Sequence, residues 1–348
     1  MRFKMKMLNN LRVFLIFGIF IVGFVFIISS QGLTESERSE DVIKLNKIRI
    51  GYPIDNFNWF TVFVAKELGF FQREGLDVEL KKVPANGMVA AFSGGDIDYA
   101  THLLLGTKLA LKGHSFRVIA VTFYGIFVLV VSNDIDSVSK LKNKKIAVTT
   151  RLSRGYLHTL FLKEKYGLKD IKISFMNNEL GMVAMLKSGQ VDGIITSFDT
   201  ASVLKKEGYR VLIKLWEEWK IPQSGIITET DKVKNKPDEV KKVVRAVLNA
   251  ISYIKNEAHK KEIIKIISQF TLINDKETLG EIYDVLIKSE SLDGDGYPEP
   301  EDFINIIKQA KMKQMADFKE IKSIQIDQND ILKVAGSWQF VFPQKADD

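Results

Sequence analysis

The sequence predicts an α/β protein of two similar open-sheet lobes, joined by hinge strands and followed by a C-terminal helical extension that packs on the first lobe. Three observations predict this fold class. The chain has 348 residues, too many for one ordinary core and enough for two lobes of about 100–200 residues each. From residue 47 onward, short β-branched runs alternate with amphipathic stretches, as is typical of α/β proteins. One block of the sequence also occurs twice.

The spacing of apolar residues places the elements of the body in order. The predicted strands cover residues 47–53, 76–83, 97–103, 116–123, 144–150, 171–175, 191–196, 209–215 and 225–229. The predicted helices cover residues 60–71, 87–93, 104–112, 156–166, 182–187, 201–207, 238–256, 260–270, 276–289 and 300–311. The change to helices alone after Pro237 marks the helical extension.

The repeated block combines a helix, a glycine stop and an aspartate turn. Residues 89–98 read VAAFSGGDID, and residues 183–192 read VAMLKSGQVD. Gly95 and Gly189 are expected to end their helices in the left-handed conformation, and the aspartate at the end of each block begins the next turn. We interpret both aspartates as structural, and we interpret the duplication as a sign of two related lobes.

The first 32 residues have the order of an export segment. An uncharged apolar run at residues 13–28 follows four cations and precedes small residues. The four cations are Arg2, Lys4, Lys6 and Arg12. Two interpretations are open: a signal peptide cleaved after Gly32, or an uncleaved membrane anchor, since the run approaches the length of about 17–25 residues that spans a bilayer. Both place the chain beyond residue 33 in the periplasm or on the outer face of the cytoplasmic membrane, after a polar tether at residues 33–46.

Composition excludes several classes of function. The export segment supplies four of the seven net positive charges, so the body carries only +3, which argues against a nucleic-acid-binding protein. The chain has no cysteine, which excludes disulfides, thiolate metal sites, cysteine nucleophiles and a lipid-modified cysteine anchor. It has no phosphate loop, nucleophile elbow or zinc-ligand spacing. We therefore expect no catalytic residue, no metal and no cofactor.

The duplication predicts how the chain divides. Lobe 1 comprises residues 47–126 and, with the helical tail, residues 225–348, whereas lobe 2 comprises residues 127–224. The crossings are expected along residues 127–132 and 224–230. Two open parallel sheets leave a cleft between the carboxyl ends of their strands, where ligands bind, and hinge closure over a small ligand follows from that arrangement.

Several segments of the body resemble a known family. Residues 65–78 read AKELGFFQREGLDV, and SGGDIDYA, LKNKKIAV, SGQVDG and VVRAVLNAISYI follow in the expected order. Over residues 47–254 the chain resembles the solute-binding proteins of ABC transporters for sulfonates, taurine, nitrate and thiamine precursors. The resemblance implies the type 2 periplasmic-binding-protein fold and a monomer that captures a small solute and delivers it to an ABC permease in the membrane.

Five residues of lobe 1 are candidate ligand contacts because they follow strands or precede helices. Asn58 and Trp59 lie in the first loop, where related thiamine-precursor binders have a tryptophan; alternatively, Trp59 packs under the next helix. Asn86 either offers a helix start to a polar oxygen or serves as an N-cap. His102 either faces the cleft or is packed and hydrogen-bonded. Tyr124, near the crossing, is placed to stack on a planar solute.

In lobe 2 the strongest chemical signal is the segment at residues 149–155. Arg151, Ser153 and Arg154 lie at a predicted helix start, where hydroxyl and guanidinium groups form an anion cradle. The alternative is a capped helix with both arginines in solvent.

A second segment of lobe 2 carries Ser197 and Asp199. Asp199 either binds an amine or a ring N–H, or caps the following helix. The sequence thus leaves two classes of solute open: an anionic sulfonate or carboxylate, or a flat heteroaromatic amine. Two further functions are open as well, a membrane-anchored sensor domain without a permease, and an enzyme like those that make the thiamine pyrimidine.

Overall fold

A computed structural model describes residues 45–53, 57–111, 114–151, 153–270, 273, 275–292, 296, 301–303, 305–306 and 308. The predicted export segment and residues 33–44 of the predicted tether lie outside these residues, as does part of the last predicted helix. None of the helices in the described ranges is long and apolar enough to cross a bilayer.

The strands of the described chain alternate with its helices, as predicted. In chain order the strands are β1 (Asn46–Tyr52), β2 (Leu76–Lys82), β3 (Tyr99–His102), β4 (Phe116–Tyr124), β5 (Phe127–Val131), β6 (Lys145–Val148), β7 (Lys172–Phe175), β8 (Gly193–Ser197), β9 (Arg210–Lys214) and β10 (Pro222–Glu229). The helices are α1 (Phe60–Glu67), α2 (Phe70–Arg73), α3 (Met88–Ser93), α4 (Leu103–Leu111), α5 (Arg154–Lys165), α6 (Glu179–Lys187), α7 (Phe198–Lys206), α8 (Leu215–Glu218), α9 (Thr230–Asn235), α10 (Pro237–Lys255), α11 (Lys260–Gln269) and α12 (Lys276–Lys288). Short 3₁₀ turns cover Phe57–Trp59, Ala85–Gly87, Val138–Leu141 and Glu257–His259.

The described strands form two five-stranded sheets with the same topology. The first sheet has the order β2-β1-β3-β10-β4, and the second has the order β7-β6-β8-β5-β9. In the first, β1 pairs in parallel with β2 and β3, while β10 runs antiparallel to both of its neighbours. In the second, β6 and β5 occupy the equivalent positions and pair in the same way. The fold class predicted from the duplication is confirmed.

Each sheet is mixed and not parallel throughout, because it contains one antiparallel strand. That strand is the crossing strand, which enters from the other half of the chain and therefore runs in the opposite direction. The predicted crossings at residues 127–132 and 224–230 coincide with strands: β5 starts at Phe127 in the second sheet and β10 at Pro222 in the first. The two connections lie side by side, since the backbone N–H of Gly125 donates to the carbonyl of Ile221 at 3.3 Å.

Helices cover both faces of the first sheet. Side chains alternate along its strands, so that Ile226 packs with α1 and α10 while Ile227 packs on the opposite face with α3 and α4. The extension packs on the first sheet's helices through α10 and α11, both of which contact α1. Its last described full helix, α12, also contacts α7 of the second half, where Lys206 and Asp275 form an ion pair at 2.5 Å.

The two copies of the repeated block have the predicted structure. Gly95 and Gly189 have φ angles of +71° and +68°, the left-handed conformation that ends a helix. Each aspartate then binds the backbone of an inner strand of its sheet: Asp98 accepts from the N–H of Arg49 in β1 at 2.9 Å, and Asp192 accepts from that of Lys145 in β6 at 2.8 Å. The structural interpretation of both aspartates is confirmed.

Candidate functional site

A cavity of about 670 Å³ lies between the two sheets. Residues that follow β1, β3, β6 and β8, or that end those strands, line it, together with the first turns of α5 and α6. This is the edge at which the carboxyl ends of parallel strands meet in an open α/β sheet. The volume is within the range of about 300–1,000 Å³ that small-molecule sites occupy.

Most of the predicted contact residues lie together at this cavity. The candidates among the lining residues are Asn58, Trp59, Asn86, His102, Ser153, Arg154 and Ser197. Three other candidates, Tyr124, Arg151 and Asp199, are not among the described residues that line it. The structure thus brings the first set into one site and leaves the other three out of its lining.

Trp59 and His102 form one wall of the cavity. Trp59 is only 3% exposed, precedes α1 in a 3₁₀ turn, and meets the His102 ring edge-on at 5.6 Å between centroids. Neither Nε1 of Trp59 nor Nδ1 of His102 has a hydrogen-bond partner among the described residues. Burial and, second, the nearby charge of Arg154 lower the pKa of His102 to about 3, so the ring is neutral at physiological pH. Trp59 therefore packs in the same core cluster as the residues of α1 and also lines the cavity.

Arg154 lines the cavity, but its guanidinium is already engaged. Its Nε donates to the carbonyl of Pro222 at 3.0 Å, and Nη2 donates to the carbonyls of Pro222 and Gln223 at 2.7 and 2.9 Å. These bonds join the start of α5 to the start of β10, across the return crossing. Burial lowers the pKa of Arg154 to about 9, which leaves it a cation at neutral pH.

The remainder of the predicted anion cradle has the structure of a capped helix. Ser153 is the N-cap of α5: its hydroxyl accepts from the N–H of Tyr156 at 3.2 Å and donates to the carbonyl of Thr150 at 2.7 Å. Arg151 is exposed, and its guanidinium carbon lies 4.7 Å from the centroid of the Phe175 ring. The two arginines thus do not act as a pair.

Three candidates remain: Asn86, Tyr124 and Asp199. Asn86 is exposed in the turn before α3 and makes no capping bond, because Gly87 occupies the N-cap position. The hydroxyl of Tyr124 donates to Asp302 at 2.8 Å. Asp199 is not a cap either, since Ser197 precedes α7 and Asp199 lies within its first turn.

Glu179 is a lining residue that sequence reasoning missed. The predicted helix began at Met182, whereas α6 begins at Glu179, with Asn178 as a cap that accepts from the N–H of Gly181 at 2.6 Å. Oε1 of Glu179 accepts hydrogen bonds from the hydroxyls of Thr196 and Ser197. The Asn-Asn-Glu run after β7 was the available signal, because an asparagine followed by an acidic residue is typical of a helix start.

Asp199 lies in the first turn of α7, close enough to Glu179 for the two charges to interact. Its Oδ1 is buried and has no hydrogen-bond partner among the described residues. Burial and, second, the charge of Glu179 raise the pKa of Asp199 to about 6.

Gln223 was also missed. It is only 4% exposed, lines the cavity at the start of β10, and its Oε1 has no partner among the described residues. The predicted strand began two residues later, at Gly225, so Gln223 was not recognised as part of a strand start.

Comparison with known proteins identifies the family. Residues 56–260, more than half of the chain, match the NMT1/THI5-like family. The chain belongs to this family. The resemblance found in the sequence is therefore confirmed at family level. No curated protein matches the chain significantly.

Solved structures of low sequence identity share the fold. A sulfonate-binding SsuA protein from Methylobacillus flagellatus KT is 19% identical, with a TM-score of 0.63 over 81% of this chain and 96% of that one. The nitrate-binding protein NrtA from Synechocystis PCC 6803 is 15% identical, with a TM-score of 0.62 over 83% and 91%. A Candida albicans protein described as having the generic periplasmic binding protein fold is 17% identical, with a TM-score of 0.60 over 84% and 95%. This NMT1/THI5-like chain therefore has the periplasmic-binding-protein fold.

The described part of the chain contains no group of three or more His, Cys, Asp or Glu side chains placed to hold a metal ion.

Proposed function

We propose that the chain is an extracytoplasmic solute-binding protein that captures one small organic solute in the cavity, performs no chemistry on it, and delivers it to an ABC permease. The fold shared with sulfonate- and nitrate-binding proteins supports a solute-binding role. Lobe 1 comprises residues 47–126 and 225–348, and lobe 2 comprises residues 127–224, although residues 222–224 already pair in the first sheet as the start of β10. The two lobes close over the solute.

The observation that carries this proposal is the set of buried polar atoms without partners at the cavity. Nε1 of Trp59 offers a donor, Oε1 of Gln223 offers an acceptor, and Nδ1 of the neutral His102 is the third such atom. A buried polar atom left without a hydrogen bond costs about 1–3 kcal/mol. A solute that supplies the missing partners recovers this free energy, which gives the site both affinity and orientation.

The residues proposed to contact the solute are those candidates that line the cavity. Asn58 and Asn86 supply amides from lobe 1, beside the Trp59–His102 wall. Ser153 and Ser197 supply hydroxyls from lobe 2, and Arg154 lies at the crossing. Tyr124, Arg151 and Asp199 support the site from outside.

We also propose that the protein is exported and that it is a monomer. The segment at residues 1–32 directs the protein to the periplasm or to the outer face of the cytoplasmic membrane, either as a cleaved signal peptide or as an anchor. The mass of the native N-terminus measures which of the two applies. An anchored sensor domain without a permease is the alternative function, and a gene for a permease adjacent to this one argues against it.

A thermal-shift screen of the full chain in mild detergent tests solute binding. The panel contains sulfonates, carboxylates, nitrate, pyrimidines and amines. We expect at least one class to raise the melting temperature, and we expect that gain to be lost in Gln223→Leu, which removes an unpartnered acceptor but keeps the volume similar. A surface variant of the same type, Gln72→Leu in α2, is the matched control. Absence of any stabilisation, or turnover of a panel member, contradicts the proposal.

A further inference from the structure

On the lobe 2 side, the cavity is lined by the carboxylate of Glu179, and only one of its two oxygens accepts hydrogen bonds from described residues. Glu179 is the first residue of α6 and lines the cavity. Both hydroxyls that bind it, those of Thr196 and Ser197, donate to Oε1. Among the described residues no donor contacts Oε2.

A second carboxylate strengthens this negative charge. Burial and, second, the charge of Glu179 raise the pKa of Asp199, so the two groups are close enough to repel each other. No described lysine or arginine forms an ion pair with either of them. The carboxylate pair, Glu179 and Asp199, therefore lacks a counter-charge within the described protein, and a buried charge such as that of Asp199 is costly without one.

The two arginines near this part of the chain, Arg154 and Arg151, interact with other groups. Arg154 is hydrogen-bonded to the carbonyls of Pro222 and Gln223, and its charge affects His102 and His158. Arg151 is exposed over Phe175 and is not among the lining residues. Neither arginine therefore neutralises the carboxylate pair.

An independent observation also points to a solute with donors. Gln223 is 4% exposed, lines the same cavity, and its Oε1 accepts no hydrogen bond from a described residue. A carbonyl oxygen of this kind is satisfied only by an N–H or O–H group.

We infer that the solute presents a protonated nitrogen, an ammonium or amidinium group, to Oε2 of Glu179, and that the nearby charge of Asp199 reinforces this preference. The inference rests on the proposed function, because it names the chemistry of the solute in that same cavity. A cationic donor forms a charge-assisted hydrogen bond with the carboxylate and supplies the missing counter-charge. A sulfonate or carboxylate placed at the same position is repelled by two negative charges.

Matched probes that differ in charge test the inference. The cationic probes are benzylamine and benzamidine, the neutral probe is benzyl alcohol, and the anionic probe is phenylmethanesulfonate. Binding to the full chain is measured at pH 7.5 by calorimetry and thermal shift. We expect the cationic probes to bind more tightly than benzyl alcohol, and the sulfonate to bind least.

Single substitutions that each remove one negative charge test whether the affinity for cations depends on Glu179. Glu179→Gln keeps the size of the side chain and its acceptor for Thr196, and it should weaken binding of the cationic probes about tenfold or more, as for loss of a charged hydrogen bond. Glu217→Gln removes the same charge from an exposed position in α8 and should leave the affinity unchanged. Asp199→Asn provides a second variant, with a smaller loss of cation affinity, should Glu179→Gln fail to fold.

The outcomes separate this inference from the proposed function. Preferred binding of phenylmethanesulfonate, unchanged or tighter in Glu179→Gln, overturns the inference and leaves the solute-binding function standing. Stabilisation by none of the four probes also overturns the inference, whereas the function is then judged by the wider panel. Equal losses in Glu179→Gln and Glu217→Gln show a non-specific effect of charge and overturn it as well.

Discussion

Two arginines three residues apart have opposite environments. The guanidinium of Arg154 is buried and donates three hydrogen bonds to the carbonyls of Pro222 and Gln223, whereas that of Arg151 lies in solvent over the Phe175 ring. Nothing in the local sequence distinguishes them. The difference arises because only the side chain that faces β10 finds backbone acceptors.

The arginine pair provides a test of stability. We expect Arg154→Met to lower the free energy of unfolding by about 2–4 kcal/mol, because two buried carbonyls lose their donor. Arg151→Met should change it by less than about 0.5 kcal/mol, as for an exposed side chain. Urea unfolding followed by circular dichroism measures both, and similar values for the two variants contradict the role assigned to Arg154.

Asp199 should make stability depend on pH. Its pKa rises from 3.8 to about 6 on folding, so the native state binds the proton more tightly than the unfolded state does. Stability therefore falls as the pH rises from about 4 to about 6, and the full cost is present above that window. We expect Asp199→Asn to stabilise the protein at pH 7.5 by about 1–3 kcal/mol and to flatten the profile in this window.

Asp275 is the control for Asp199, because its pKa is shifted in the opposite direction. A hydrogen bond from Lys206 lowers the pKa of Asp275, so its contribution is present at neutral pH and is lost in acid. Asp275→Asn should therefore lower the melting temperature at pH 7.5. A rise in both variants, or no change in the Asp199 profile, contradicts the assigned burial of Asp199.

The duplicated helices α3 and α6 end in the same way. Each is stopped by a glycine with a positive φ angle, followed by an aspartate that binds the neighbouring central strand. A side chain at Gly95 or Gly189 would meet no atom within 4 Å. The requirement for glycine at both positions is therefore conformational and not steric.

Gly95 and Gly189 should contribute about equally to the free energy of unfolding. We expect Gly95→Ala and Gly189→Ala each to cost about 1–2 kcal/mol, the cost of placing an L-residue in the left-handed conformation. Gly280→Ala, inside α12 with open space at its Cβ, should instead stabilise by about 0.5–1 kcal/mol. Thermal unfolding of the three variants measures the contrast, and neutral effects at both stops contradict it.

Element boundaries limited what could be read from the sequence. The helix assigned to residues 182–187 begins at Glu179, and the strand assigned to residues 225–229 begins at Pro222. Both errors removed a lining residue, Glu179 or Gln223, from the predicted site. Functional side chains lie at the ends of elements, where apolar periodicity fades and hydrogen bonds with distant residues decide the boundary.

The molecule as a whole has the architecture of a hinged pair of lobes. Two connections lie side by side, and the cavity takes its lining from both sheets. Arg154 links them with hydrogen bonds that span 68 and 69 positions of the chain. A solute that contacts both walls favours the closed arrangement by the difference in its affinity for the two states.

Closure can be measured because the chain has no cysteine of its own. Spin labels on Ala90→Cys and Leu180→Cys, exposed residues of lobe 1 and lobe 2 that do not line the cavity, should approach each other when a solute binds. Labels on Leu180→Cys and Val203→Cys, both in lobe 2, should keep their distance. An unchanged distance in the first pair with a saturating solute contradicts hinge closure.

Local patterns sufficed for the α/β class, the duplication and the family, and seven of the ten candidate contacts lie at the cavity. The fold class, the duplication and the placement of the candidates follow from apolar periodicity, glycine stops and the rule that ligands bind at the carboxyl ends of strands, all of which act over short stretches of chain. The family was indicated by the resemblance of residues 65–78 and the motifs that follow them. The antiparallel strand in each sheet, the engagement of Arg154 and the exposed position of Arg151 required the folded structure. So did the carboxylate pair of Glu179 and Asp199. Burial, hydrogen-bond partners and pKa shifts depend on residues that are distant in sequence, so the charge of the site emerges only when the chain is folded.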